Sequence, residues 1–107
     1  MPLSGVRVID LGRHLAGPTA AMWLGDLGAD VIKIENPGKG EDARSSGPPF
    51  YNGESAFFLA ANRNKRSLAL DLKRPEGQEI FCRLAATADV VVENFRPGVM
   101  EALGIGY

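Results

Sequence analysis

The feature that most constrains the fold is a strand–helix–strand pattern at the start of the chain. The β-branched run VRVID, residues 6–10, is followed by a glycine-containing loop and is typical of a buried strand. Residues 18–27 predict a helix that has proline at its first position and Gly28 as a left-handed stop. The run ADVIKIE, residues 29–35, predicts a second strand. A unit of this length places its two strands side by side and parallel.

The same alternation continues to the end of the sequence and defines the fold class. The runs SLALDL, residues 67–72, and ADVVVE, residues 88–93, predict a third and a fourth strand. The segments ESAFFLAAN and PEGQEIFCRLAATA predict two further helices. We therefore expect an α/β fold, a Rossmann-like open sheet of parallel strands with flanking helices. The long loop 36–54 is rich in Gly and Pro, and a loop of this length is usually functional or disordered.

Length and composition exclude several classes of function. The chain has 107 residues, enough for one domain, and its formal net charge of -1 argues against a nucleic-acid partner. The single cysteine, Cys82, excludes an intrachain disulfide and indicates a reducing, cytoplasmic compartment; its place on a helix predicts a core residue. His14 is the only histidine, so no metal site is expected. No apolar run is long enough to span a membrane, and no membrane partner is expected.

Each of the four predicted strands has an acidic residue at its end or one position before its end. Because the carboxyl ends of parallel strands border the ligand crevice of an open sheet, these acids should lie near one rim. An acid at a strand end more often accepts hydrogen bonds from the loop that follows than it performs catalysis. The acids therefore locate the functional edge better than they identify a catalyst. They are Asp10, Glu35, Asp71 and Glu93.

Glu35 has a second possible role, because a dinucleotide-binding fold holds a ribose with an acid at this position. The first loop, LGRHLAGP, lacks the G-x-G-x-x-G spacing that brings the main chain against a pyrophosphate. NAD binding is therefore the weaker hypothesis. The helix that begins after this loop offers free N–H groups to an anionic or carbonyl oxygen, although ordinary helix initiation explains residues 16–18 equally well.

Basic residues precede and follow the third predicted strand. Arg63, Lys65 and Arg66 lie before it, and Lys73 and Arg74 lie after it. Such side chains usually form a solvated surface. Because the two groups lie at opposite ends of the strand, they cannot contact one phosphate. Lys73, at the acidic rim, is the better candidate for binding a phosphorylated ligand.

Four segments together carry a family resemblance. They are GVRVIDLGRHLAGP, LGDLGADVIKIENPGKGEDAR, GPPFYNGESAFFLAANRNKRSLALDLKRPEG and ADVVVENFRPGVMEALGIGY. In order and spacing they resemble the N-terminal part of class III coenzyme A transferases, the CaiB/BaiF family. The resemblance implies that residues 1–107 are the N-terminal part of a large CoA-binding α/β domain. It also implies that coenzyme A or acyl-CoA is a substrate and that no cofactor is permanently bound.

The resemblance implies which residues contact CoA. The family contacts match the first loop, the end of the third strand and the loop after the fourth strand, at Leu15, Ala16, Leu70, Asp71, Lys73, Asn94, Phe95 and Arg96. Many relatives have an arginine at the position of Asn36, and some relatives have a second arginine at the position of Ala102. Arg96 or Lys39 would then have to substitute for these cations.

The function implied by the resemblance is transfer of CoA between an acyl-CoA and a carboxylic acid, with dicarboxylic acids as the favoured class. The acyl intermediate forms on an aspartate beyond position 107, so no residue of this chain is expected to be catalytic and the chain by itself is expected to be inactive. Family members form intertwined homodimers, and this piece alone should leave strand edges and apolar faces uncovered. Two alternatives stay open: a 2-methylacyl-CoA racemase of the same family, and a non-catalytic CoA-binding or assembly fragment.

Overall fold

The structure is a computed structural model that describes residues 1–13, 15–38, 40–41, 44, 47, 50–51 and 53–105; for residues 51, 56 and 57 it describes the main chain. Strands and helices alternate along most of this length. In chain order they are β1 (Arg7–Asp10), α1 (Ala16–Asp26), β2 (Asp30–Glu35), β3 (Phe50–Tyr51), β4 (Glu54–Ser55), α2 (Ala56–Ala61), β5 (Lys65–Ala69), α3 (Pro75–Ala85), β6 (Val90–Val92) and α4 (Val99–Ala102).

Four of the strands form one parallel sheet in the order β5-β2-β1-β6. Val8 of β1 lies opposite Val31 of β2 on one side and Val90 of β6 on the other. The chain builds the sheet from β1 through β2 to β5 and then returns to place β6 on the opposite side of β1. The strand order therefore reverses between β1 and β6, which makes that position a topological switch point. The predicted Rossmann-like parallel sheet is confirmed.

The side chains of β1 alternate between two apolar clusters because successive residues of a strand point to opposite faces. Val8 packs with Ala21 of α1, whereas Ile9 packs with Phe81 of α3. Leu70 and Leu72, just beyond β5, join the cluster of Ile9. The sheet is thus covered by α1 on one face and by α3 on the other.

Several element boundaries differ from the sequence-based prediction. Helix α1 begins at Ala16, so Pro18 is its third residue. Strand β5 runs from Lys65 to Ala69 and not over 67–72, because its register is determined by pairing with β2, where Lys65 lies opposite Val31. The expected loop 36–54 contains the two-residue strand β3 and the first residue of β4, which pairs with it in an antiparallel hairpin. Gly28 ends α1 with a φ of +107°, as predicted.

The prediction that Cys82 is a core residue is wrong. Cys82 lies on α3, as expected, but it is exposed. The buried residues of α3 are Gly77 and Phe81, which lie four positions apart on one side of the helix. The next residue is rotated by about 100° and faces away from the sheet. Within the described ranges, no helix is long and apolar enough to cross a membrane.

Candidate functional site

The loops that follow β1 and β6 are joined at the switch point. Asn94 accepts a hydrogen bond from the main-chain N–H of Arg13 at 2.8 Å, and its Nδ2 donates to the Arg13 carbonyl oxygen at 3.0 Å. Leu11 N donates to the Val92 carbonyl oxygen at 2.8 Å immediately before these loops. The crevice that an open α/β sheet uses for ligands is therefore bordered here by two loops in a fixed relative position.

Two glycines allow the first loop to approach Asn94 closely. A Cβ atom on Gly17 would lie 2.9 Å from the Cα of Gly12 and 3.3 Å from the Cγ of Asn94. A side chain at Gly17 would therefore separate α1 from both loops. Leu15 and Ala16, two of the predicted CoA contacts, are exposed at the start of α1 beside this junction.

A cleft of about 200 Å³ opens at the carboxyl edge of the sheet. Its walls come from the loops after β1, β2, β5 and β6 and from the α4 region: Arg13, Asn36, Leu72, Lys73, Phe95, Val99 and Leu103. The guanidinium carbon of Arg13 lies 5.7 Å from the centre of the Phe95 ring, within the range of a cation–π contact. The structure thus brings Lys73 and Phe95, both predicted contacts, to one cleft, together with Arg13, which the sequence did not single out as a contact.

The other predicted contact residues lie around this cleft. Asn94 and Arg96 are exposed in the loop after β6. Asp71 is partly exposed and accepts a hydrogen bond from the main-chain N–H of Lys73 at 3.0 Å. The side chain of Leu70 lies in the core. Leu70 can therefore reach a ligand only through its main chain.

A second cleft, of about 270 Å³, extends the site along the same edge of the sheet toward β5. Its walls come from the end of β2, the loop that follows and the end of β5: Glu35, Asn36, Gly38, Gly40, Arg44, Ser67 and Ala69. Asn36 lines both clefts. The two clefts therefore adjoin, and together they suit a long ligand lying across the strand ends.

All four strand-end acids accept a hydrogen bond from a main-chain N–H of the loop that follows. The structural role that the sequence favoured is therefore confirmed for each acid. The pairs are Asp10 with Gly12 N at 2.7 Å, Glu35 with Glu41 N at 2.8 Å, Asp71 with Lys73 N at 3.0 Å and Glu93 with Phe95 N at 3.0 Å.

Lys65 is buried, although basic residues around the third strand were expected to be solvated. Its side chain is 2% exposed, and its Nζ lies 2.7 Å from Oδ2 of the fully buried Asp10. The same Nζ donates to the Pro18 carbonyl oxygen at 2.9 Å, and further acceptors are Ala61 O and Asn62 Oδ1. Burial lowers the pKa of Lys65, although the hydrogen bond to Asp10 opposes that shift. Lys65 thereby ties α1 and the end of α2 to β1.

A second cation contributes to the same buried group. Lys33 Nζ lies 3.5 Å from Asp10 Oδ2 and 3.5 Å from Glu41 Oε1, and it donates to the Gly12 carbonyl oxygen at 3.2 Å. Two ammonium groups and two carboxylates therefore balance their charges beneath the first loop. This balance offsets the cost of burying them.

Glu35 is fully engaged by protein groups. Arg44 donates to its two oxygens at 2.6 and 3.0 Å, and the Ser67 hydroxyl also donates to it. Burial alone would raise the pKa of Glu35, but hydrogen bonds from Arg44, Ser67 and the Glu41 N–H outweigh burial and lower the pKa to about 2. The Arg44 guanidinium carbon also lies 3.9 Å from the centre of the Phe58 ring. Glu35 therefore holds the loop after β2 against the end of that strand, and its carboxylate is not available to bind a ribose.

The other candidate residues lie outside the two clefts or outside the described residues. Arg63 and Arg66, unlike Lys65, are exposed and pair with Asp26 and Asp30. Within the described ranges, no group of three or more His, Cys, Asp or Glu side chains could hold a metal ion. His14 and Lys39 lie outside the described residues.

Comparison with known proteins gives one consistent result. Residues 3–107 match the family model of CoA-transferase family III. Over 106 residues the chain is 58% identical to succinyl-CoA:glutarate CoA-transferase of Mus musculus, covering 99% of this chain and 24% of the mouse protein. It is 46% identical over 107 residues to the succinyl-CoA–L-malate CoA-transferase beta subunit of Chloroflexus aurantiacus, covering 100% of this chain and 26% of that subunit.

A solved structure gives the same picture of the fold. The crystal structure of a CaiB/BaiF family protein from Brucella suis superposes with a TM-score of 0.93 at 48% sequence identity, covering 100% of this chain and 29% of that protein. The chain thus spans about a quarter of the length of the relatives it matches.

Proposed function

Because the chain belongs to CoA-transferase family III, we propose that the whole protein moves coenzyme A from an acyl-CoA to a carboxylic acid. The observation that carries this proposal is the pair of adjoining clefts at the carboxyl edge, where Asn94 fixes the first loop beside the loop after β6. Dicarboxylic acids are the proposed acyl groups, since the names of the two relatives include succinyl-CoA, glutarate and L-malate.

The proposed CoA contacts are those implied by the family resemblance. They are Leu15, Ala16, Leu70, Asp71, Lys73, Asn94, Phe95 and Arg96. Their chemistry supports the assignment, because Lys73 and Arg96 are exposed cations suited to solvated phosphates and the Phe95 ring offers an apolar surface. The elongated edge suits a ligand whose nucleotide and thioester ends lie far apart.

We further propose that the reacting carboxylate belongs to an aspartate outside this chain, and that residues 1–107 supply the N-terminal part of the CoA-binding domain. That aspartate attacks the thioester carbon and expels CoA thiolate, which leaves a mixed anhydride. The thiolate then attacks the aspartyl carbon, releases the donor acid and forms an enzyme thioester. The acceptor acid repeats the two steps in reverse and leaves with CoA. In support, Asp10 and Glu35 are buried and hydrogen-bonded, so neither is free to attack a thioester.

A homodimer and a reducing, cytoplasmic compartment complete the proposal. Apolar side chains that are open to solvent support the dimer: Trp23 on α1, Leu27 directly after α1, and Val90 and Val91 on β6. The exposed free thiol of Cys82 is compatible with a reducing compartment.

The test uses the full-length protein with succinyl-CoA and glutarate, and mass spectrometry detects acyl-CoA products. We expect glutaryl-CoA to form without deuterium entering the α-carbon of the acyl group in D₂O. Deuterium incorporation without exchange of CoA would instead indicate a racemase. Absence of any new acyl-CoA across a broad panel of acids would reject the proposal.

A pair of variants tests the contribution of this chain to the activity. Lys73→Gln should raise the KM for succinyl-CoA roughly 1.5- to 5-fold, the range for an exposed charge contact. Arg83→Gln, which removes an exposed cation from the last turn of α3, should leave that KM unchanged. Equal effects of the two substitutions would mean that Lys73 acts only through net charge.

A further inference from the structure

Arg13 carries a buried nitrogen that has no hydrogen-bond partner within the described part of the chain. That nitrogen is Nη1, and the side chain as a whole is only partly buried. Asn94 holds the main chain of Arg13, and the Phe95 ring lies beside the guanidinium. Buried polar groups in native proteins nearly always have a partner, and a charged donor without one is costly. The arrangement therefore calls for an acceptor that the described residues do not supply.

The cleft beside Arg13 limits the kind of acceptor. Its volume of about 200 Å³ is smaller than the roughly 300–1,000 Å³ of sites for drug-sized ligands, so it cannot enclose a whole CoA molecule. Four of its walls are apolar, contributed by Leu72, Phe95, Val99 and Leu103. A phosphate would bring a strongly hydrated charge against these walls, which is unfavourable. A short chain of methylene groups that ends in one anionic group fits them better.

We propose that Arg13 binds the free carboxylate of a dicarboxylic acyl group and so selects dicarboxylic over monocarboxylic substrates. This inference rests on the proposed function. When CoA is transferred, one carboxyl of the acid becomes the thioester carbonyl and the other stays ionised. The planar guanidinium matches a carboxylate in two-point geometry, as an ammonium cannot. Arg96, which does not line this cleft, and Lys73, which lines it but is exposed to solvent, remain for phosphates held outside it.

The test compares binding of succinyl-CoA, butyryl-CoA and free CoA to the full-length protein by calorimetry. The two thioesters have acyl chains of equal length, and only succinyl-CoA has a free carboxylate. Wild-type protein should bind succinyl-CoA roughly 10- to 100-fold more tightly than butyryl-CoA, the range for one charge-assisted hydrogen bond. Arg13→Gln should abolish that preference and leave the affinity for free CoA unchanged, and Arg83→Gln should preserve it.

The outcomes separate this inference from the proposed function. If wild-type protein binds none of the three compounds, the proposed function fails. If Arg13→Gln weakens all three equally, Arg13 contacts the CoA phosphates and the inference is wrong. If the preference survives in Arg13→Gln, the buried guanidinium has only a structural role. Should Arg13→Gln fail to fold, Arg13→Lys decides: it keeps the charge without the planar geometry, and it should lose part of the preference, whereas full retention would overturn the inference.

Discussion

The side-chain amide of Asn94 binds both the N–H and the C=O of Arg13, a residue 81 positions earlier in the chain. Among the standard side chains, only a primary amide offers a neutral donor and a neutral acceptor side by side in this way. The two hydrogen bonds therefore connect the two loops as a pair of main-chain hydrogen bonds connects two strands. They hold the loop of Arg13 at the mouth of the cleft without using any charged group.

Replacing Asn94 should loosen this junction. Asn94→Ala removes two hydrogen bonds, each contributing about 0.5–1.5 kcal/mol, and should lower the free energy of unfolding accordingly. Asn94→Asp should cost at least as much, because a carboxylate oxygen would then face the Arg13 carbonyl oxygen. Urea unfolding followed by circular dichroism measures both effects, with Glu79→Ala on the exposed side of α3 as the control. Equal stability of Asn94→Asp and wild type would show that the donor half of the amide contributes nothing.

Two neighbouring residues of β5 should respond very differently to the loss of their charge. Lys65→Met should destabilise the protein by about 3–5 kcal/mol, since it leaves the buried Asp10 without its closest cation. Arg66→Met should cost less than about 1 kcal/mol, because Arg66 pairs with Asp30 in solvent. Chemical denaturation of both variants checks the contrast. Similar losses in the two variants would contradict the assignment of Lys65 to a buried network.

Acidic pH should remove the contribution of Glu35 to stability. The pKa of Glu35 in the folded protein is about 2, against an ordinary value of 4.5. Its contribution is therefore fully present above pH 4.5 and is lost as pH falls from there toward 2. A shift of one pKa unit corresponds to about 1.4 kcal/mol. Near neutral pH, ionised Glu35 therefore contributes on the order of 3 kcal/mol to the free energy of unfolding.

The variant Glu35→Gln isolates this effect. It should be less stable than wild type at about pH 7, and the difference in unfolding free energy should shrink as the pH is lowered below 4.5. Urea unfolding of both proteins across this range gives the difference. A gap that stays constant with pH would show that the loss comes from packing and not from the ionised carboxylate.

Adjacent residues of α3 provide a test of the corrected assignment of Cys82. Phe81→Ala should cost about 3–5 kcal/mol because it leaves a cavity under the sheet, whereas Cys82→Ala should change stability by less than about 0.5 kcal/mol. A thiol reagent should also modify Cys82 in the native protein at a rate close to that of a free thiol. Labelling that requires denaturant would restore the core assignment.

The fold could be predicted from the sequence because its signals are local. Apolar strands that alternate with amphipathic helices indicate a parallel sheet, whatever the order of the strands within it. The structural role of the acids was predictable for the same reason. Asp10, Asp71 and Glu93 each accept a hydrogen bond from the main-chain N–H two residues later in the sequence. Each bond is therefore local to the loop that follows the acid.

The details that sequence reasoning missed depend on distant partners. Lys65 is buried because it binds Asp10 and Pro18, which lie 55 and 47 positions earlier in the chain, and no window around Lys65 contains these partners. Strand β5 begins earlier than its apolar run for a related reason, since β2 sets its register. The ion pair between Arg44 and Glu35 could not be predicted, because Arg44 lies in a loop whose composition indicates only irregular structure.

The reversal of strand order between β1 and β6 also determines when the binding edge can exist. During synthesis β1, β2 and β5 emerge first and can pair while the rest of the chain is still being made. The loop of Arg13 must wait for β6, because closing so long a stretch of chain is the slow step of such a topology. A nascent chain that ends before Val90 would hold three of the four strands of the sheet and would lack the junction between Asn94 and Arg13. The junction between the loops of Arg13 and Asn94 is thus completed late in translation, when the last strand of this sheet docks.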